Sequence, residues 1–280
     1  MNEHSAESAL VTQLKRIAEA FERLSPPNHS GESVKNGAAF SWSDRGLIEV
    51  IKFKPQPLDL LTGIDGQKDT LLENTRRLAS GFAAHDTLLW GSRGMGKSGL
   101  VKAVVGELQK DRQNIALVEV DADHLGTLPN LFDILGAEDR GFVVFIDDIG
   151  FDDDNGAARK LRSMLEGGAA ARPGNVRIYV TSNRRHILPR NLSEQDDPVN
   201  PRDAVDDKLA LSDRFGLRLG FHAASQDDYI AIITRYSDAY ELMFDKDDAL
   251  LWAKQRGGRS GRVAWQYIVE LAGRAGRNLV

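Results

Sequence analysis

The spacing of apolar residues changes character along this chain. Residues 8–24 place Leu10, Leu14, Ile17, Phe21 and Leu24 at intervals of three and four, the mark of an amphipathic helix. That stripe is expected to pack on the main body, with docking of a partner as the alternative. Ser25-Pro26-Pro27-Asn28-His29-Ser30-Gly31 breaks the pattern as a loop. A strand-like stretch from Gly46 to Phe53 follows, then a segment from Leu58 to Gln67 and a helix through about residue 83. From residue 87 the pattern becomes short apolar runs: Thr87 to Trp90, Ile115 to Val120, Phe142 to Ile146, Val176 to Thr181 and Leu217 to Phe221. Helical patterns separate them, including 127–136 and 156–167. Phe142 to Ile146 is apolar at every position, as in a strand buried on both faces of a parallel sheet. Residues 190–206 are rich in Pro, Asp and Asn and read as a long surface loop. From Ser225 onward only helical spacing is found, at about 225–242, 247–255 and 260–275.

Strands alternating with helices predict an α/β fold, a central parallel sheet covered on both faces. Three units are expected: an N-terminal helix and strand extension over 1–54, an α/β core over 55–223, and a small all-helical domain over 224–280. With 41% hydrophobic and 28% charged residues, the composition is that of a globular protein rather than a disordered one. The net charge of −5 gives no global attraction to nucleic acid or to an acidic membrane, so any basic contact surface must be local. The absence of cysteine excludes disulfides, thiol catalysis and cysteine-based zinc sites. The polar, acidic N-terminus lacks a signal-peptide core, and no apolar run approaches a membrane span. A cytoplasmic location with no membrane partner is the expectation.

The chemistry centres on Gly91-Ser92-Arg93-Gly94-Met95-Gly96-Lys97-Ser98, which fits the phosphate-binding pattern G-x-x-x-x-G-K-[ST]. An apolar strand leads in, and a helix beginning around Gly99 leads out. Glycines let such a loop curl so that its backbone N–H groups face phosphate oxygens, and the helix N-terminus adds partial positive charge. Lys97 is placed to reach the β- and γ-phosphates, and the Ser98 hydroxyl to join a Mg²⁺ shell. The chain is therefore expected to bind a nucleoside triphosphate.

The buried strand 142–146 ends in Asp147-Asp148, which suits a site needing one carboxylate at Mg²⁺ and another near the attacking water. Asp147 is assigned to the metal and Asp148 to the water. Asp152, Asp153 and Asp154 resemble a calcium loop only superficially, because Phe151 and Arg162 occupy positions where such a loop needs carboxylates. They read as acids favoured at a helix N-terminus. Asn183, at the end of the strand 176–181, is placed to hydrogen-bond both the γ-phosphate and the water. Arg214, within Leu211-Ser212-Asp213-Arg214-Phe215-Gly216, is either a finger that stabilises charge on the transferring phosphoryl group or a surface arginine paired with Asp213. Gly257-Gly258-Arg259-Ser260-Gly261-Arg262 opens the last helix with two guanidinium groups.

In this order the motifs resemble those of an AAA+ ATPase over about residues 55–280. The resemblance implies a P-loop NTPase αβα sandwich with a helical C-terminal lid, ATP held between them, and a ring or helical homo-oligomer. It makes Gly91 to Ser98 Walker A, Phe142 to Asp148 Walker B, Asn183 sensor 1, Arg214 an arginine finger acting in trans, and Arg259 sensor 2 in cis, with Arg262 in reserve. It also implies that Gly63-Ile64-Asp65 lines the adenine. More narrowly, the chain is similar to a bacterial family of uncharacterised AAA+ proteins. That likeness is carried by Leu89 to Ser98, Leu165-Glu166-Gly167-Gly168, Tyr179 to His186 and Leu211 to Gly216.

One departure from the AAA+ pattern concerns catalysis. Walker B there ends in Asp-Glu, whereas here it ends in Asp147-Asp148. The shorter side chain leaves a base that either sits too far from the water or acts through a second one, and it predicts hydrolysis that is slow while binding is unaffected. Three functions are weighed: an oligomeric ATPase remodelling a protein or complex, a nucleic-acid loader, and an ATP-gated switch that docks a partner through 8–24. Residues 121–136 hold no aromatic-apolar-Gly pore loop, which argues against a threading unfoldase. The nucleic-acid reading rests on Arg172, Arg177, Arg184, Arg185, His186 and Arg190. No Asn-Lys-x-Asp run is present to read guanine. The favoured reading is an ATP-hydrolysing oligomer acting on an unidentified protein or other macromolecule.

Overall fold

The computed structural model describes residues 32–150, 156–165, 172–183 and 212–279. The amphipathic stripe at 8–24, the acids at 152–154, the loop at 190–206 and the basic residues Arg184, Arg185, His186 and Arg190 lie outside the described residues.

The strands are β1 (Ala39–Ser43), β2 (Gly46–Glu49), β3 (Thr87–Gly91), β4 (Ile115–Val120), β5 (Gly141–Ile146), β6 (Val176–Ser182) and β7 (Leu217–Phe221). The helices are α1 (Glu32–Asn36), α2 (Asp65–Ala79), α3 (Lys97–Lys110), α4 (Leu128–Gly136), α5 (Ala157–Leu165), α6 (Gln226–Tyr240), α7 (Lys246–Gln255) and α8 (Gly261–Arg274). The strands form one sheet in the order β2-β1-β4-β5-β6-β3-β7, parallel except for the β1–β2 hairpin.

Side-chain alternation sorts the sheet into two faces. Phe142, Val144 and Ile146 of β5 join Val118, Ile178 and Val180 under α4, which supplies Leu128, Leu131, Phe132 and Leu135. Val143 and Phe145 point the other way, with Leu89, Leu117 and Tyr179, against Leu71 and Leu78 of α2 and Leu100, Val104 and Leu108 of α3. With both faces covered, every residue of β5 is buried.

The N-terminal part of the chain differs from expectation. The strand expected over 46–53 ends at Glu49, and Ile51 beyond it is almost fully exposed. Its partner β1, which no apolar run announces, pairs in register with β4, Phe40 opposite Val118 and Trp42 opposite Val120. Trp42 anchors the hairpin by donating its indole N–H to the Thr127 hydroxyl at 2.9 Å.

The C-terminal helices α6, α7 and α8 enclose a separate core of Tyr229, Ile232, Ile233, Tyr236, Ala249, Ala253, Tyr267 and Ile268. Their starts are encoded locally. Ser225 and Asp228 form a reciprocal capping box on α6, Asp245 caps α7 through Asp248 N, and Ser260 caps α8 through Val263 N. A strap before α2 ties this core to the sheet. Leu60 inserts among the lid side chains, Arg235 pairs with Asp59, and Gln56 donates to the Tyr236 hydroxyl at 2.5 Å. Leu61 and Ile64 of the same strap belong to the sheet's core.

Candidate nucleotide site

The loop from Gly91 to Gly96 joins the C-terminal end of β3 to α3, and its shape depends on two close approaches. Gly91, at φ 119°, lies so near β7 that a Cβ there would stand 2.1 Å from the Phe221 carbonyl oxygen. Ser92 N donates to that same oxygen at 2.8 Å. Gly94, at φ 73°, faces the lid, where a Cβ would meet Ser260 Oγ at 2.9 Å. The loop therefore sits between the last strand and the start of α8, and side chains at either glycine would push these elements apart.

Lys97 begins α3 and is 5% exposed. Its ammonium uses three donors at 2.9 Å, on Gly91 O, Ser92 O and Asn183 Oδ1. Burial holds its pKa below the ordinary lysine value. Asp148 and Asp147 oppose that shift, while Arg93 and Arg262 add to it. Asn183 is thus beside Lys97, and it donates its amide to Asp148 Oδ1.

Asp147 and Asp148 follow β5 where β6 runs alongside, with Ile146 opposite Val180. Ser98 Oγ donates to Asp147 Oδ1 at 2.6 Å, and Thr181 donates its hydroxyl to the same oxygen. Asp148 N in turn donates to Thr181 Oγ1 at 2.8 Å. Thr181 thus holds the Asp147 carboxylate and the Asp148 backbone while itself 1% exposed. Sequence reasoning passed over it in favour of Asn183, two residues on, although strand register alone places Thr181 across from the acids. Asp148 has φ 52°, a left-handed backbone at the tip of the strand.

The donors here suit Mg²⁺. A hydroxyl and a carboxylate converge within 2.6 Å, both hard oxygen ligands. Among the described residues no group of three or more His, Asp or Glu side chains forms a self-sufficient cation cage. A two-oxygen set of this kind matches an ion that arrives with phosphates and keeps much of its water.

A cleft of about 870 Å³ opens between the loop and the lid, lined by Ser92, Arg93, Gln226, Lys254, Arg256, Arg259 and neighbours, with no carboxylate among them. Arg259 lies on this lining. Arg262 engages the loop more directly, since its backbone N–H donates to Gly94 O at 3.0 Å and its charge is felt at Lys97. Ile64 reaches the loop from the strap: a Cβ at Gly96 would lie 3.8 Å from Ile64 Cδ1 and 3.6 Å from Leu61 Cδ2. Met95 packs against the same core as Ile64, and Gly99 lies in the first turn of α3.

Arg214 is not part of this assembly. It is exposed on the turn before β7, whose first residue Leu217 pairs with Thr87 while its last, Phe221, pairs with Gly91. About 13 Å of strand separates that end of the sheet from its own loop. Asp213 accepts from Arg218 Nη1 at 3.0 Å. Arg172 and Arg177 also sit at the far end. Arg172 pairs with Asp86, and Arg177 donates to the Ala84, Gly174 and Val176 carbonyls. These two arginines staple strands together and do not extend a basic surface toward Asn183.

The family described as "Protein of unknown function (DUF815)" matches residues 35–275. The chain belongs to that family. No curated protein matches the sequence. Among solved structures, the RuvB Holliday junction branch migration motor of Thermotoga maritima superposes with a TM-score of 0.50 at 18% identity, covering 80% of this chain and 68% of that one. Aeropyrum pernix ORC1, solved in complex with DNA, gives a TM-score of 0.51 at 16% identity over 81% of this chain and 66% of that one. Both are AAA+ ATPases, and likeness at such low identity establishes the fold: a P-loop αβα sandwich followed by a helical C-terminal unit. Among the described residues no helix is long and apolar enough to cross a membrane.

Proposed function

We propose that this chain binds and hydrolyses ATP as an AAA+ protein, assembles with copies of itself, and acts on a macromolecular partner. The observation that carries this reading is Lys97. It is a buried ammonium with three acceptors, one of them Asn183, and the Ser98–Asp147 pair stands beside it. All three acceptors are neutral, so a phosphate oxygen that replaces one of them gives this buried charge a stronger, charge-assisted bond.

On this reading the backbone N–H groups of Gly94 to Gly99, with Lys97, bind the β- and γ-phosphates, and Arg262 or Arg259 closes from the lid. Ser98 and Asp147 hold Mg²⁺, which when bound offsets phosphate charge. Asp148, oriented by Asn183 and Thr181, places the attacking water. Ile64 and the cleft beyond Ser92 receive the adenosine. Arg214, remote from its own loop, serves the site of a neighbouring copy. Residues 55–223 act as the nucleotide-binding core and 224–280 as the lid.

A second reading is favoured by one observation. Asp148 carries the short carboxylate, and that carboxylate accepts from Asn183 and lies 3.9 Å from Arg93. A base so engaged suits slow turnover, and with it an ATP-gated docking switch in which binding is the signal. Molar mass in solution, with and without ATP–Mg²⁺, on wild type and Arg214→Ala separates the two. The first reading expects an ATP-dependent multi-subunit species whose turnover collapses in the variant. A monomer that binds ATP under every condition favours the switch, and failure to bind ATP at all defeats both.

A further inference from the structure

Arg93 occupies the second variable position of the phosphate loop, and its surroundings distribute freedom unevenly. The residues on either side are pinned. Ser92 donates its N–H to Phe221 O and accepts from Lys97 through its carbonyl, while Gly94 O accepts from Arg262 N. The backbone at Arg93 is therefore fixed, yet its side chain is 75% exposed. The guanidinium reaches toward Asp148 and stops 3.9 Å short, a separation that is an ion pair but too long for a hydrogen bond. Asp148 is itself 55% exposed, so the pair is solvated and cheap to exchange.

Lys97 lies within the electrostatic reach of both signs of charge: Asp148 and Asp147 favour its ammonium form, and Arg93 and Arg262 disfavour it. A γ-phosphate bonded to Lys97 and to the metal held by Ser98 and Asp147 brings new negative charge next to Asp148, which accepts from Asn183. Arg93, exposed on the loop and already within ion-pair distance of Asp148, is a cation in reach of both. A planar guanidinium with five donors is also better suited than an ammonium to move between a carboxylate and a phosphoryl group, because it matches either with two parallel bonds.

From this we infer that Arg93 senses the γ-phosphate in cis: it rests on Asp148 when the site is empty or holds a diphosphate, and transfers to the terminal phosphoryl oxygens when a triphosphate binds. The transfer leaves Asp148 without its guanidinium partner in the state where a water must be oriented, so triphosphate recognition and release of the base are one event. The inference rests on the nucleotide reading proposed above and adds to it a residue that distinguishes tri- from diphosphate.

The test is a calorimetric titration of the full chain with ADP–Mg²⁺ and with the non-hydrolysable triphosphate AMP-PNP–Mg²⁺. It uses wild type, Arg93→Ala, Arg93→Lys, Asp148→Asn, the Arg93→Ala/Asp148→Asn pair and Lys97→Ala. Loss of a charge-assisted bond made only to the triphosphate predicts about ten-fold weaker AMP-PNP binding in Arg93→Ala, with ADP affinity unchanged and Arg93→Lys in between. Asp148→Asn removes the competing carboxylate and tightens AMP-PNP several-fold, and that gain shrinks when Arg93 is already absent. Equal effects of Arg93→Ala on both nucleotides, or none on either, overturn the inference. If Lys97→Ala abolishes binding while Arg93→Ala does not discriminate, the nucleotide site stands and the sensor falls. If wild type binds neither nucleotide, both fall together.

Discussion

Thr181, buried in the sheet, bridges the two acids that follow the neighbouring strand: its hydroxyl donates to Asp147 Oδ1 and accepts from Asp148 N. Both contacts are lost in Thr181→Val, a change that keeps the shape of the side chain. A buried polar group left unsatisfied costs roughly 1–3 kcal/mol, and here the cost falls on the geometry of the two carboxylates. The expected outcome is a folded protein with ATPase turnover reduced about ten-fold or more, restored by Thr181→Ser. Circular dichroism and a steady-state phosphate assay check it, and unaltered turnover in Thr181→Val removes Thr181 from the site.

The Ser98–Asp147 pair predicts a metal phenotype rather than a binding one. Ser98→Ala keeps the loop backbone and Lys97, so nucleotide binding in the presence of EDTA should match wild type. The Mg²⁺-dependent gain in affinity, and turnover with it, should be lost. Parallel titrations with and without Mg²⁺ read this directly. A Mg²⁺ response equal to wild type's contradicts the assignment.

For the lid arginines the geometry ranks the two candidates. Arg262, in the first turn of α8, bonds Gly94 O through its backbone N–H and lies within electrostatic range of Lys97, whereas Arg259 lines the cleft. Arg262→Ala is expected to weaken ATP about ten-fold, and Arg259→Ala by a smaller factor. The reverse order restores Arg259 as the lid residue that meets the phosphates.

Alkaline pH should unfold the core through Tyr179. This ring is buried, its hydroxyl bonded to Asn74 and Thr75, and burial pushes its pKa up to about 12 from the usual 10. The folded state holds the proton more tightly than the unfolded chain, so its contribution is fully present below pH 10 and is lost as pH rises from 10 to 12. Two units correspond to roughly 3 kcal/mol. Denaturant midpoints measured from pH 8 to 12, with tyrosinate absorbance followed in parallel, should fall together in the wild type. The slope should be shallower in Tyr179→Phe.

How much of this was legible beforehand follows from how local each feature is. The phosphate loop is written within eight consecutive residues, and β5 in five consecutive apolar ones, so sequence located both. Helices α6 to α8 were placed within one or two residues because spacing and side-chain caps agree. Strand β1 escaped because Ala39-Phe40-Ser41-Trp42-Ser43 mixes small polar residues with its apolar ones and gains its stability from pairing with a segment over seventy residues later. The hydrogen-bonding of Thr181 and the approach of Arg262 to Gly94 depend on register and on lid packing, which no single window of sequence contains. Arg172 and Arg177 looked like part of one basic run because they are near Asn183 along the chain. A strand is a rod, however, and they lie at its other end.

The strap from Gln56 to Ile64 has a mechanical meaning. Its Leu60 is embedded in the lid and its next residue in the sheet core, while Leu61 and Ile64 rest under Gly96 of the phosphate loop. A lid that rotates therefore drags the floor of the loop with it, and a loop that tightens around phosphate tugs on the lid. Such a lever works in both directions with the same free energy. A partner that grips the outer surface of α6 to α8 and favours one lid position is therefore expected to change the affinity for nucleotide, and nucleotide to change the strength of that grip by an equal factor.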